Sequence, residues 1–218
     1  MSAAASQDVV LLCAAGMLVS AFLMVGLKAL FMAIRLFAVQ SLLLSLVALA
    51  MGLGTHRRHL LVTAALVLAL KTAVIPWFLM HVVQRAGIHR EIQPILNVPS
   101  SLLVCMGLTV VGYRVSTGMA GGTDVRHHVL AASLSTLLIG LFMMVTRRKA
   151  VSQMLGLLMV ENAVFLLALG ATSGMPLVLE LGISFDVMLA VLVLGMLVGR
   201  IVERFESMDV SRLSRLRG

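Results

Sequence analysis

Apolar residues gather into seven long runs, at about 9–27, 29–53, 60–83, 100–118, 129–146, 150–171 and 176–199, parted by short polar or basic breaks. Each run is long enough to cross a hydrocarbon core of about 30 Å as a helix. Lipid offers a backbone no hydrogen-bond partners, so the spanning form must be helical. The pattern therefore predicts an all-α, polytopic integral membrane protein of about seven transmembrane helices. Only Lys28 parts the first two runs, which makes that boundary the weakest. The longest polar connection runs from Gln84 to Pro99, and a Gly-containing loop, Met119 to His128, precedes the fifth run. A Gly/Ser/Pro turn, Thr172 to Pro176, folds the last two runs into a hairpin.

Charge inside these runs is rare, and its depth gives it meaning. Glu161 lies thirteen residues past Arg148, and Asp186 fourteen residues before Arg200, basic residues that mark one membrane face. At 1.5 Å per residue both carboxylates sit roughly 20 Å from that face, near the midplane and at matching heights. Lys71 is the third mid-depth charge. It stands eleven residues into the third run, too deep for its stem to lift the ammonium to either interface. An ionisable group at the bilayer centre costs on the order of 2.5–3.5 kcal/mol on the lenient insertion scale, so it faces a protein interior or a water path. Pro76, five residues past Lys71, breaks the helical ladder and frees carbonyls or space for water. A proton path through Lys71, Glu161 and Asp186 is the functional reading. The competing one is structural: an ion pair between Lys71 and either acid, or an interhelical hydrogen bond at Glu161. The residue pattern alone leaves both open.

Other polar residues have lesser claims. Asn162 follows Glu161 but points about 100° away around the helix, so the two do not make one constellation on a face. Glu180 sits a few residues into the last run, within reach of the interface, and Ser184 is a local partner for Asp186. Arg35 either snorkels toward the face of Lys28 or makes an internal ion pair. His81 either extends the path of Lys71, since imidazole titrates near neutral pH, or is a plain interfacial histidine. His56, His59, His89, His127 and His128 lie in or beside loops. Without paired histidines at mid-depth, the pattern argues against a b-type cytochrome. Gly16, Gly26, Gly52, Gly156 and Gly195 are candidates for close helix approach.

Composition narrows the class further. With 61% hydrophobic and 12% charged residues in 218, no soluble domain is expected. The net charge of +8 is scattered through short loops and the tail, which fits orientation by positive loops and not a nucleic-acid surface. Given seven spans, the face of the C-terminal tail collects Lys28, Arg85, Arg90, Arg147, Arg148, Lys149 and the tail arginines. The other face holds Arg57, Arg58 and Arg126. The C-terminus is accordingly predicted to be cytoplasmic. Cys13 and Cys105 sit in apolar runs with no CxxC or His/Cys cluster, so no nickel, zinc or iron–sulfur ligation is expected in this chain. The first residues lack a basic n-region, and the first run reads as a retained span. No nucleophile–base pair or phosphate loop is present.

Four segments carry a family resemblance: Lys71–Thr72–Ala73–Val74–Ile75–Pro76, the run Leu158–Met159–Val160–Glu161–Asn162, Glu180 to Asp186, and the tail Met208 to Leu213. Through them the chain resembles the hydrogenase-4 component E family, multispanning subunits of formate hydrogenlyase-type and related group 4 [NiFe]-hydrogenase complexes. From about residue 128 it is also similar to the small three-span subunit of respiratory complex I and the matching subunit of Mrp-type antiporters. The resemblance implies three parts: N-terminal spans in 1–118, a three-helix complex I-like unit in 128–200, and a cytoplasmic tail in 201–218. Of the complex I subunit's two membrane acids, one falls on Asp186 and the other on Leu158. Here the second carboxylate is Glu161, three residues later, on roughly the same helix face but about 4.5 Å deeper along it.

What the resemblance implies is a subunit of the prokaryotic cytoplasmic membrane, lodged between redox-arm-anchoring and antiporter-like membrane subunits. It carries no cofactor of its own. The [NiFe] centre and iron–sulfur clusters belong to partner subunits of the peripheral arm. Its expected role is a mid-membrane polar path linking redox chemistry to proton or cation movement. The alternatives are the small subunit of a multisubunit cation/proton antiporter and a structural membrane adaptor.

Overall fold

The computed structural model describes residues 3–55, 65, 68–86, 96–120 and 125–172, all helical apart from short turns. Six α-helices appear among them: α1, Ala3–Gly26; α2, Leu30–Thr55; α3, Ile75–Ala86; α4, Val98–Ala120; α5, Val125–Thr146; and α6, Ala150–Thr172. A π-helical segment, Leu68–Val74, leads directly into α3. Five of these helices contain stretches long and apolar enough to cross a membrane: Ser6–Gly26, Leu30–Gly52, Val98–Gly118, Val125–Thr146 and Val151–Ala171. The chain is thus a multi-pass helical membrane protein. The five match the first, second, fourth, fifth and sixth apolar runs. The described part of the third run contains a shorter apolar stretch, Leu68–His81. The seventh run lies outside the described residues, as do Glu180, Asp186 and the tail.

Lys28 does separate two spans. α1 and α2 are distinct helices packed against each other, joined by three residues. Four helices form a ring in which α1 touches α2 and α5, while α6 touches α5 and α2. Their sense alternates. The end of α1, the start of α2, the end of α5 and the start of α6 share one recess, lined by Met24, Leu30, Met143 and Leu155 among others. Toward the other end, Cys13, Met17, Leu44, Val47, Val129 and Leu166 belong to one buried apolar cluster. α4 lies outside the ring, chiefly against α5, with only 17% of its span buried, whereas the α5 and α6 spans are each 61% buried.

Lipid supplies no hydrophobic push between helices, so close backbone approach and polar contacts have to hold them. Gly140 on α5 and Gly156 on α6 supply the approach. A Cβ placed on Gly156 would lie 3.0 Å from the Met144 backbone nitrogen and 3.1 Å from the Gly140 carbonyl oxygen. Gly112 does the same for α4, where an added Cβ would come within 2.8 Å of the Ser135 backbone nitrogen on α5. Of the glycines expected at contacts, Gly16 meets only the mobile end of Leu43, and Gly26 has nothing nearer than 4.0 Å. Gly195 lies outside the described residues.

Two arginines at opposite ends of α5 close neighbouring helix termini. Arg147, buried just past the end of α5, donates from Nη2 to the Val25 carbonyl at 2.5 Å and the Leu27 carbonyl at 3.2 Å. Arg126, in the first turn, donates to the carbonyls of Gly170 and Ala171 at the end of α6. Each places a cation on orphan C-terminal carbonyls, where the helix dipole is negative.

Candidate functional site

The site begins with Pro76. Its ring crowds the carbonyl four residues back, that of Thr72, and it supplies no N–H to the turn before it. Widening that turn to π spacing relieves the clash, and the Leu68–Val74 segment is π-helical. The segment is inside-out in polarity. Leu68, Leu70 and Val74 are exposed, and Lys71 is its buried residue, 1% accessible. Thr72 Oγ1 is buried and has no hydrogen-bond partner among the described residues. Several hydroxyls elsewhere in the bundle fold back on a carbonyl three or four residues behind, as Thr136 does on Ala132.

The Lys71 stem carries its ammonium from the π turn, which packs beside α2, across to α6. There Nζ lies 3.0 Å from Glu161 Oε1, and Glu161 is itself 6% accessible. Lys71 Nζ also donates to Asn162 Oδ1 at 3.4 Å. Glu161 and Asn162 do not share a helix face, yet Lys71 meets both of them. Their side chains diverge around α6, and the one long lysine enters the angle between them.

Asn162 continues the chain of contacts. Its Nδ2 donates to Ser41 Oγ at 3.1 Å and to Gln40 Oε1 at 3.4 Å, both on α2. Gln40 Nε2 in turn donates to the Met17 carbonyl of α1 at 3.2 Å, and Ser20 Oγ donates to the same carbonyl at 2.7 Å. Gln40, Ser41 and Asn162 are fully buried. Gln40 lies ten residues past Leu30, Glu161 eleven past Ala150, and Met17 nine before Gly26. Each is thus about 13–17 Å from the same end of the bundle. That is half of a hydrocarbon core of about 30 Å. A polar layer crosses the bundle at mid-membrane, while Leu12, Met32, Leu103 and Val145 face outward.

Not every expected residue joins this layer. Asp186 and Glu180 lie outside the described residues. His81 is exposed and stacked on Trp77, with ring centroids 6.0 Å apart and planes within 16°, so it belongs to the outer surface and does not extend the Lys71 contacts. The i, i+4 spacing on α3 sets Trp77 and His81 on one face, and that face turns outward. Arg35 is likewise exposed on α2. Leu158, where the complex I-like alignment expects an acid, is fully buried on the inner face of α6 that Glu161 shares.

A second polar cluster was not legible from the sequence. His127, expected in or beside a loop, is buried in the first turns of α5, with Nδ1 3.2 Å from Ser116 Oγ on α4. Tyr113 meets the His127 ring edge-on at 6.3 Å, and His128 lies 5.4 Å from it. The register of two helices, not a motif, makes this cluster.

Compared with known proteins, the chain is 36% identical over 206 residues to the uncharacterized protein Rv0085 of Mycobacterium tuberculosis, an alignment that covers 94% of each chain. No family model and no solved structure matches it.

Proposed function

We propose that this chain, which belongs to the family of the uncharacterized protein Rv0085 of Mycobacterium tuberculosis, is a membrane subunit of a complex I-like [NiFe]-hydrogenase complex of the formate hydrogenlyase or hydrogenase-4 type. In this reading it spans the cytoplasmic membrane seven times with its C-terminus inside. It sits between redox-arm-anchoring and antiporter-like subunits, and the [NiFe] centre and iron–sulfur clusters are held by partners in the peripheral arm. Its own part is a mid-membrane station for protons. Lys71 and Glu161 are the first two members, and Asp186 is the third.

The observation that carries the reading is the 3.0 Å Lys71–Glu161 pair in the polar layer of an otherwise apolar bundle. A buried ion pair is a poor device for stability, since well-packed apolar residues of similar volume hold as well or better. Kept at mid-membrane, it has the form of a switch. While Glu161 is ionised, the ammonium is neutralised by it. When Glu161 takes a proton, the local charge rises by one unit and disfavours a proton on the next group along, so charge passes onward.

Purification of the tagged full-length protein from its native membrane in mild detergent tests the assignment. Co-purification of a [NiFe]-hydrogenase large subunit with antiporter-like subunits is the expected result. Antiporter subunits alone would move the same switch into a cation/proton exchanger, and the protein running alone would overturn both.

A further inference from the structure

α4 carries a charge that the bundle leaves alone. Arg114 lies inside the apolar span Val98–Gly118, four residues before its end. It is exposed, and among the described residues its guanidinium has no ion-pair or hydrogen-bond partner. The hydroxyl of Tyr113, next to it in the chain, has none there either. Both side chains line one recess of about 400 Å³, together with Thr109, Val110 and Thr117. The two threonine hydroxyls are already committed. Thr117 Oγ1 donates to the Arg114 carbonyl at 2.6 Å, and Thr109 Oγ1 to the Cys105 carbonyl at 2.8 Å. A hydroxyl has one proton to give, so the donors left for a ligand are the Arg114 guanidinium and the Tyr113 O–H. An anion with several acceptor oxygens, such as a phosphate, matches that set.

The surroundings of the recess say how such an anion arrives. α4 turns Gly112 and Ser116 toward α5 and leaves Leu103, Met106 and Val110 exposed. Leu103, Met106, Val110, Tyr113 and Thr117 recur at intervals of three and four, so they form one stripe along the helix. Arg114 stands about 6 Å short of the end of its apolar span. From that depth an arginine stem reaches the headgroup layer. Tyr113 sits at the level where amphipathic rings gather, and its ring is edge-on to the buried His127 at 6.3 Å. We infer that the C-terminal end of α4 binds an anionic phospholipid, with Arg114 and Tyr113 holding the headgroup phosphate and an acyl chain lying along Val110, Met106 and Leu103. A carboxylate on a neighbouring transmembrane helix is the other counter-ion that Arg114 would accept. The stripe is bulky, however, whereas helices that pack in lipid meet through small residues, as α4 itself does at Gly112. This binding asks nothing of the Lys71–Glu161 pair, so it stands or falls apart from the proton station.

Titration of the delipidated full-length protein in mild detergent tests the site, with bound lipid counted by native mass spectrometry. The probes are dioleoylphosphatidylglycerol and, with the same chains but no net charge, dioleoylphosphatidylcholine. The anionic lipid is expected to bind the more tightly. Arg114→Gln should weaken it about fivefold, roughly what one basic residue contributes at an anionic surface. Arg114→Lys keeps the charge without the planar fork and should fall between. Tyr113→Phe keeps the ring and should give a smaller loss. Arg35→Gln, which removes an exposed arginine from α2, should bind as the wild type does. Should Arg114→Gln fail to fold, Arg114→Lys and Tyr113→Phe decide. A photoreactive amino acid placed at Val110 and activated in the native membrane reads the occupant directly, and a cross-link to phospholipid is expected. Equal affinity for the two lipids overturns the site, as does unchanged affinity in the Arg114 variants. A cross-link to a partner polypeptide overturns it too, and gives the face to a neighbouring helix.

Discussion

Gly140 and Gly156 face one another where α5 crosses α6, close enough that a Cβ on either would lie 3.1 Å from the other's carbonyl oxygen. The crossing sets the rotation of α6 about its axis. Five residues on from Gly156, that rotation turns Glu161 inward and not toward lipid.

Gly156→Ala should therefore cost about 1–3 kcal/mol, because the atoms in its way include backbone that cannot yield. Gly107→Ala is the matched control, with nothing within 4 Å of an added Cβ. It should be neutral, or stabilising by up to about 1 kcal/mol through helix propensity. Thermal unfolding of the two purified variants side by side checks the contrast.

The ion pair makes a sharper forecast. Lys71→Met and Glu161→Leu each remove one partner of a buried ion pair, and each should cost about 3–5 kcal/mol. The double variant removes both charges and should recover most of that loss. A double-mutant cycle on the unfolding free energy reads the coupling. Additive losses would mean that the two side chains do not share one environment.

Arg147 is predicted to hold the α1 terminus. Arg147→Met strips the donor from the Val25 and Leu27 carbonyls. It should cost about 1–3 kcal/mol as buried acceptors lose their partner. Faster proteolysis near Lys28 than in wild type is the expected sign of a loosened α1–α2 turn.

Five of the seven spans were legible because each needs only length and apolar content, and α2, α4, α5 and α6 begin and end within four residues of their runs. Lys71 and Glu161 were legible from depth, since rise per residue converts position into height. What depth cannot supply is azimuth in the bundle. Asn162 was set apart by its angle from Glu161, and the reach of the Lys71 stem overrode that angle. Gln40 and Ser41 looked like ordinary polar residues of a long apolar helix, and only the neighbouring α6 gives them an amide to orient. His127 read as a loop residue because α5 starts four residues earlier than the apolar run, which brings it against Ser116. Gly156 was among the expected contact glycines, but its partner Gly140 was not, since a crossing point depends on two registers at once.

Proton uptake and release by the intact complex, reconstituted in proteoliposomes and driven by its electron donor, tests the Lys71–Glu161 station most directly. The Glu161→Gln complex that assembles is predicted still to turn over hydrogen, while proton movement across the membrane is lost. An assembled Glu161→Gln complex that moves protons as the wild type does would contradict it.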